Sequence, residues 1–283
     1  MITKHSRIVQ AGEHSMPMKN LKWILLVVVF RFGAQGAVFG QNKIASDVYA
    51  WKDAAVEKTE TGARRILVKG IATDFTSMEI TGTTLDKGKA EAEVARTNFE
   101  EMIVVKSGSL KIAINGEAKT VGRGSVAVVM PGDKCDFTNA AEGETTFYTL
   151  RYQSKNPADV ERGKKSGGSF IMDWNDVKYI PREDGKGGTR NFFSRPTAMG
   201  SRLDLHCTLL NPGQSSHAPH HHRAEEMTIV LEGDVQMYLG PGEKDGKTKE
   251  GTGGDIIYQV SNEYHAISNI GSTPALYFAF QFE

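Results

Sequence analysis

Pro212-Gly213-Gln214-Ser215-Ser216-His217-Ala218-Pro219-His220-His221-His222-Arg223-Ala224-Glu225-Glu226-Met227-Thr228-Ile229-Val230-Leu231-Glu232-Gly233 begins in a turn and runs into an apolar strand. His220 and His222 are two residues apart, so on an extended chain both side chains leave the same face. Glu226 follows after three intervening residues, enough for a tight turn into the strand that Gly233 ends. Downstream, Gly254-Asp255-Ile256-Ile257-Tyr258-Gln259-Val260-Ser261-Asn262-Glu263-Tyr264-His265-Ala266-Ile267-Ser268-Asn269 supplies another imidazole, His265. Two imidazoles, a carboxylate and a third imidazole on neighbouring strands can close around one divalent ion. Neutral imidazole and carboxylate suit Mn, Fe, Ni, Zn or Cu. His221 alternates outward between two ligands and reads as a surface residue. His217, ahead of Pro219, reads as part of the rim.

Outward from this stretch, the chain contains itself twice. Met78-Glu79-Ile80-Thr81-Gly82-Thr83-Thr84-Leu85 matches Leu203-Asp204-Leu205-His206-Cys207-Thr208-Leu209-Leu210 at an offset of 125. Glu101 and Gly108 match Glu226 and Gly233 at the same offset, and Gly124 and Asn139 match Gly254 and Asn269 at 130. The difference, 130 less 125, is five residues and falls in the Gly- and Lys-rich hairpin around 240–251. A weaker match pairs the segment around Trp51 with that around Trp174. Anchors in one order with one short insertion signal a duplicated unit. Each copy reads as short β-type runs bounded by glycine turns, and the second copy alternates Arg202, Asp204, His206 and Thr208 with Leu203, Leu205, Cys207 and Leu209. The expected organisation is a leader over 1–40, a first barrel over 45–152, a Lys- and Gly-rich linker over 153–168 and a second barrel over 169–283.

The 283 residues carry 34 basic and 34 acidic side chains, and no basic run is interleaved with aromatics, which argues against nucleic acid as a partner. Thirty glycines and nine prolines suit an all-β fold of many turns. Lys19 and Lys22 precede the apolar run Trp23–Phe30, and small residues follow as far as Gly40. A basic start, a short apolar run and a small-residue tail read as a secretory signal peptide. The start is then Met16 or Met18, and the product is secreted or periplasmic. Eight apolar residues are too few for a stable membrane anchor, which needs about 20. Cys135 and Cys207 fall at unrelated places in the two copies and read as small buried residues rather than a bridge.

The pattern Gly-x6-His-x-His-x3-Glu-x6-Gly, then Gly-x10-His-x3-Asn, closely resembles the two signature motifs of the cupin superfamily, and the resemblance covers residues 45–283. Val260-Ser261-Asn262 stands where cupins usually have Pro-x-Gly, and the first spacer is one residue longer than the commonest form. The resemblance implies two tandem jelly-roll barrels. It implies an ion held by His220, His222, Glu226 and His265, with manganese the first expectation and zinc or iron next. In the first copy the matching positions hold Ala95, Thr97 and Cys135, and only Glu101 survives, so that barrel reads as structural. Three His and one Glu leave coordination positions free, so the resemblance implies a metal-dependent enzyme on a small polar or anionic molecule, with oxygenase, hydrolase or isomerase chemistry open. Among two-barrel cupins, ureidoglycine aminohydrolase is similar in carrying metal only in its C-terminal barrel but differs in ligand order. Quercetinase-like dioxygenases match in ligand type, and oxalate decarboxylases usually keep ligands in both barrels. A non-enzymatic protein binding a sugar or sugar acid is the competing class, and a homodimer stays open.

Catalytic residues are not assigned. Arg202, Asp204 and His206 share one strand face, which lines the pocket or instead meets solvent or the other barrel; Glu225, Tyr258 and Gln259 are further pocket candidates. For the leader, N-terminal mass spectrometry of the native protein is expected to find a chain beginning near Gln41. An intact Met18 terminus in the cytoplasm would contradict export.

Overall fold

The computed structural model describes residues 42–93 and 98–283. The leader reading over 1–40, and the positions Ala95 and Thr97, lie outside the described residues. The first half contains β1 (Asp47–Tyr49), β2 (Glu57–Thr59), β3 (Gly62–Gly70), β4 (Phe75–Leu85), β5 (Ala90–Glu93), β6 (Glu100–Ser107), β7 (Ser109–Ile114), β8 (Glu117–Gly122), β9 (Val126–Val129), β10 (Cys135–Asn139) and β11 (Thr145–Ser154). After α1 (Val160–Lys165) come β12 (Phe170–Met172), β13 (Tyr179–Pro181), β14 (Gly187–Arg195), β15 (Leu203–Leu210), β16 (Glu225–Glu232), β17 (Asp234–Gly240), β18 (Lys247–Thr252), β19 (Ile256–Gln259), β20 (Tyr264–Asn269) and β21 (Ala275–Phe282). The protein is all-β, with two tandem jelly-roll barrels.

Each barrel pairs a seven-stranded sheet with a smaller one. The first is β12-β9-β6-β11-β4-β3-β2 with β5-β10-β7-β8, and the second is β1-β19-β16-β21-β15-β14-β13 with β18-β17-β20. The repeat read from sequence maps onto equivalent strands, β4 onto β15, β6 onto β16 and β9 onto β19, and the structure adds β11 and β21 as a further equivalent pair. The insertion lies in the turn between β17 and β18, as expected. The repeated asparagines have one job. Asn139 donates to the carbonyls of Leu85 (3.0 Å) and Gly143 (2.7 Å), and Asn269 to those of Leu210 and Thr273, both at 2.8 Å. Each ties its turn to the end of a distant strand, satisfying buried backbone acceptors that no ladder reaches.

Alternation along the strands sorts side chains into three cores. Leu85, Ile103, Leu110, Phe137 and Phe147 fill the first barrel, and Leu210, Val230, Val235, Ile257 and Tyr277 the second. The opposite faces of the two large sheets pack on each other, bringing Met78, Met102 and Tyr152 against Leu205, Met227, Phe280 and Phe282. Aromatic pairs cross this interface, Phe75 with Phe282 at 5.5 Å and Tyr152 with Phe280 at 6.5 Å between centroids. Cys135 sits in the first barrel and Cys207 between the sheets, both buried thiols.

The halves also exchange edge strands. β1 pairs with β19 of the second barrel, and β12 with β9 of the first. A tryptophan follows each exchanged strand. The Trp51 amide donates to Asp255 Oδ1 (2.8 Å) and that of Trp174 to Ser125 Oγ (3.0 Å). The Trp51 ring then returns to its own half beneath Arg65, whose guanidinium lies 4.8 Å above it, as Arg190 lies 4.4 Å above Trp174. Gly124, at φ 82°, carries the turn beneath Trp174; a Cβ there would stand 2.4 Å from the indole. Replacing Trp51 by Ala removes a partly buried ring and its cation–π contacts. It is expected to cost about 3 kcal/mol, read as a shift in the urea midpoint.

Candidate metal centre

His265 lies on β20, whose backbone is bridged to the segment before β16: His265 N–H donates to the His220 carbonyl (2.8 Å) and His220 N–H to that of His265 (3.2 Å). This bridge brings the two imidazoles together, tilted by 51° with ring centroids 4.7 Å apart. Asn262 N–H donates to the His222 carbonyl (2.8 Å), anchoring the turn that leads to His265. Asn262 itself has φ 63°. Asparagine tolerates the left-handed region, so it supplies the turn shape that the glycine of Pro-x-Gly would give.

The ligand atoms of His220, His222 and His265 all lie within 4.8 Å of one another. Glu226 Oε2 is 3.4 Å from His222 Nε2 and 3.9 Å from His265 Nε2. Donors bound at about 2.1 Å stand about 3 Å apart at right angles and about 4.2 Å apart when opposed, so closure around an ion needs these separations to shrink by at most about 1.8 Å. The tautomers are set by the backbone. His222 Nδ1 meets the Ala224 carbonyl (2.7 Å) and His265 Nδ1 that of Glu263 (3.1 Å). A carbonyl only accepts, so each Nδ1 carries a proton; His265 Nε2 then keeps its lone pair, and His222 Nε2 offers one once the proton it shares with Glu226 has left. His265 Nε2 is buried with no hydrogen-bond partner. A buried lone pair among two further imidazoles and a carboxylate is the arrangement a divalent cation completes.

Electrostatics agree. Burial, then the neighbouring His217, His265 and His222, push His220 down to about 4, and burial lowers His265. Burial alone would raise the Glu226 carboxyl, but the hydrogen bond with His222, the field of His265 and the Gln281 amide outweigh it and bring it to about 2. The hydrogen bond to Glu226 raises His222 instead. Without metal, therefore, Glu226 favours the protonated form of His222.

The remaining candidates separate by strand face. His217 Nδ1 lies 3.1 Å from His220 Nδ1, so His217 supports a ligand histidine from outside. His221 is exposed and stacks on Tyr264 at 4.6 Å. Glu225 points away, accepting from the amide and hydroxyl of Thr73 (both 2.8 Å) in the first half. Its counterpart Glu100 reaches the opposite way, to the Met199 amide (3.1 Å). Tyr258 lies between the sheets with Met227, its register partner, while Gln259 pairs with Glu226 and faces the barrel interior. Asp204 is opposite Gln281, which is opposite Glu226, so Asp204 and His206 face the same barrel interior as Glu226.

Gln281 is a site residue that no motif marks. Its Nε2 donates to Glu226 Oε2 (2.8 Å), and its Oε1 accepts from Arg202 (3.2 Å). The signal in sequence is one polar residue in the aromatic run Tyr277-Phe278-Ala279-Phe280-Gln281-Phe282. Its register equivalent in the first barrel is Arg151, opposite Glu101 as Gln281 is opposite Glu226. There the Arg151 Nε–H donates to Glu101 Oε1 in a buried ion pair. A guanidinium thus holds the carboxylate whose counterpart in the second barrel faces three imidazoles.

Comparison with known proteins places this geometry. Residues 207–280 match the family model described as "Cupin domain". No curated protein matches the chain. Among solved structures, the Lactobacillus farciminis oxalate decarboxylase formate complex superposes with a TM-score of 0.65 at 13% identity, over 85% of this chain and 87% of that one. A mutant of Bacillus subtilis oxalate decarboxylase gives 0.63 at 14%, over 86% and 79%. AerE from Microcystis aeruginosa gives 0.62 at 13%, over 84% and 100%. The three histidines and Glu226 therefore fall within the residues that match the cupin-domain model, in a fold that these solved proteins share along most of the chain.

Proposed function

We propose that the protein is an exported two-barrel cupin whose second barrel is a metal-dependent catalytic centre for a small polar or anionic molecule. The observation that carries the reading is the buried, unpartnered Nε2 of His265, pointed at His220, His222 and Glu226. A bound divalent ion would supply Lewis acidity for an oxygen ligand. The chain's own residues do the rest. The Ala224 and Glu263 carbonyls hold two imidazoles in the ligating tautomer, Gln281 aims the Glu226 carboxylate, and Arg202 adds positive charge beside it. That charge favours anions.

Manganese is the first choice, with zinc or iron next. The Bacillus subtilis oxalate decarboxylase is described with Mn(II) centers, and the Lactobacillus farciminis enzyme as a formate complex, which supports manganese and a small carboxylate here. The first barrel, its glutamate held by Arg151, has a structural role.

Elemental analysis of the purified protein is expected to find one divalent ion per chain. His222→Ala or His265→Ala should lose most of it, and Cys135→Ser none. Gln281→Arg should also lose it while keeping the fold by circular dichroism, because it transplants the pairing that the first barrel already tolerates. Two ions per chain, or full metal in these variants, would refute the assignment.

Metal binding must also expel the proton that Glu226 stabilises on His222. Affinity should rise about tenfold per pH unit below the raised His222 pKa and level off above it; a competition titration with a chelator across pH measures this. For catalysis, the metal-loaded protein is screened against keto acids, uronic acids, ureido compounds and flavonols. Turnover should vanish in His220→Ala. Tight binding without turnover would assign a binding protein instead.

A further inference from the structure

The residue row that ends on Glu226 continues outward across two more strands. Register pairs Glu226 with Gln281, Gln281 with Asp204 and Asp204 with Ser194, on β16, β21, β15 and β14 in turn. Directly opposed residues project from one face of a sheet. Strands lie about 4.8 Å apart, so Asp204 stands about 10 Å from Glu226. The next row runs from Thr228 through Ala279 and His206 to Asn191. At the outer end, Asn191, Ser194, Asp204 and His206, together with Phe192, Phe193 and Leu205, wall a cavity of about 320 Å³. His206 Nδ1 is 3.3 Å from Asp204 Oδ1, with the two side chains 31% and 22% exposed, so the pair faces open space. The hydrogen bond from His206, then that from Ser194, hold the Asp204 carboxyl below its usual range against burial.

The first barrel shows what this row looks like when closed. There Glu79 stands in the place of Asp204 and is neutralised by Lys69 (2.7 Å) and Arg64 (3.2 Å). The positions of those cations in the second barrel are Ser194 and Thr189. The second barrel has thus exchanged built-in cations for small hydroxyl side chains and left the carboxylate facing a cavity. A flat apolar molecule seated there would strip water from Asp204, Asn191 and Ser194 without replacing their hydrogen bonds, which is costly. A ligand carrying several hydroxyls would replace them. Arg202, which reaches Gln281 at 3.2 Å and Asp204 Oδ2 at 3.7 Å, stands between cavity and metal residues, where a carboxylate would meet it.

We infer that this cavity binds the hydroxylated part of a hydroxy acid, a sugar acid in size and chemistry, whose carboxylate points past Arg202 toward the metal residues. The inference rests on the metal-centre reading for the carboxylate end and on the cavity alone for the hydroxyl end. In it, Asp204 and Asn191 bind hydroxyl groups, and His206, held by Asp204, presents Nε2 to one of them.

The test is calorimetric titration of the full protein with D-galacturonate and with acetate, metal content being measured on the same samples. Galacturonate is expected to bind at least tenfold more tightly than acetate. Ser194→Lys, which rebuilds the Lys69–Glu79 pairing across the cavity mouth, and His206→Gln should each weaken galacturonate about tenfold. Neither should alter acetate affinity or the ion count. Ser194 is exposed, so its variant tests the cavity even if changes at His206 disturb folding. Equal affinity for the two acids, or galacturonate binding untouched in both variants, would overturn the inference. A wild-type protein that holds no ion yet binds galacturonate through Ser194 and His206 would refute the metal reading and keep the cavity.

Discussion

The register between β16 and β21 is the constraint on which the site depends. It sets Gln281 opposite Glu226 and, through β15, Asp204 opposite Gln281. A slip of one residue would turn Glu226 or Gln281 out of the barrel and bring aromatic rings into it. What prevents this lies on the other face. Phe278, Phe280 and Phe282 are almost wholly buried between the two large sheets. Each ring gains roughly 1.5–3 kcal/mol from burial, so a slip forfeits several kcal/mol, a large part of the 5–15 kcal/mol by which a domain is stable. The apolar contact between the halves thereby aims polar groups that it never touches.

Because the chain carries the same barrel twice, it supplies its own comparison. Both copies keep the glutamate of β6 or β16, the asparagine that ties the last turn, and the tryptophan keyed beneath an arginine. They differ along one row of the interior. In the first, Lys69, Glu79, Arg151 and Glu101 neutralise one another. In the second, Ser194, Asp204, Gln281 and Glu226 carry two carboxylates and leave the cations to come from elsewhere. A buried carboxylate without a counter-charge is unfavourable. One barrel resolves this with covalently attached guanidinium and ammonium groups, and the other with imidazoles, Arg202 and the proposed ion.

The strands, the duplication and the convergence of three histidines on one glutamate could be read from sequence because they rest on local patterns: alternation, glycine turns and the spacing of His220, His222, Glu226 and His265. Alternation also showed that Asp204 and His206 share a face, but a single strand does not say which face is inward. Strand order decides that, and strand order is set by partners far along the chain. Gln281 escaped for the same reason, since its meaning comes from Glu226, 55 residues earlier. The neighbours Glu225 and Glu226 look alike in sequence and do unrelated work. One latches the first half through Thr73 and the other faces the imidazoles. The exchange of β1 and β12 left no local mark, because β1 finds its partner more than 200 residues downstream, as the Trp51–Asp255 bond does at a separation of 204.

That exchange imposes an order on biogenesis. As the chain leaves the ribosome, the sheet of the first barrel is complete except for its β9 edge, which waits for residues 170–172. β1, made among the first of the described residues, has no partner until Ile256–Tyr258 emerge more than 200 residues later. Over that interval the nascent protein therefore carries an orphan strand and, until β12 is made, an open β9 edge, both competent to pair with a neighbouring copy. The Trp-keyed turns after each exchanged strand can lock only once both halves exist, so the last step of folding is the closing of a mutual clasp and not the finishing of a second independent bead.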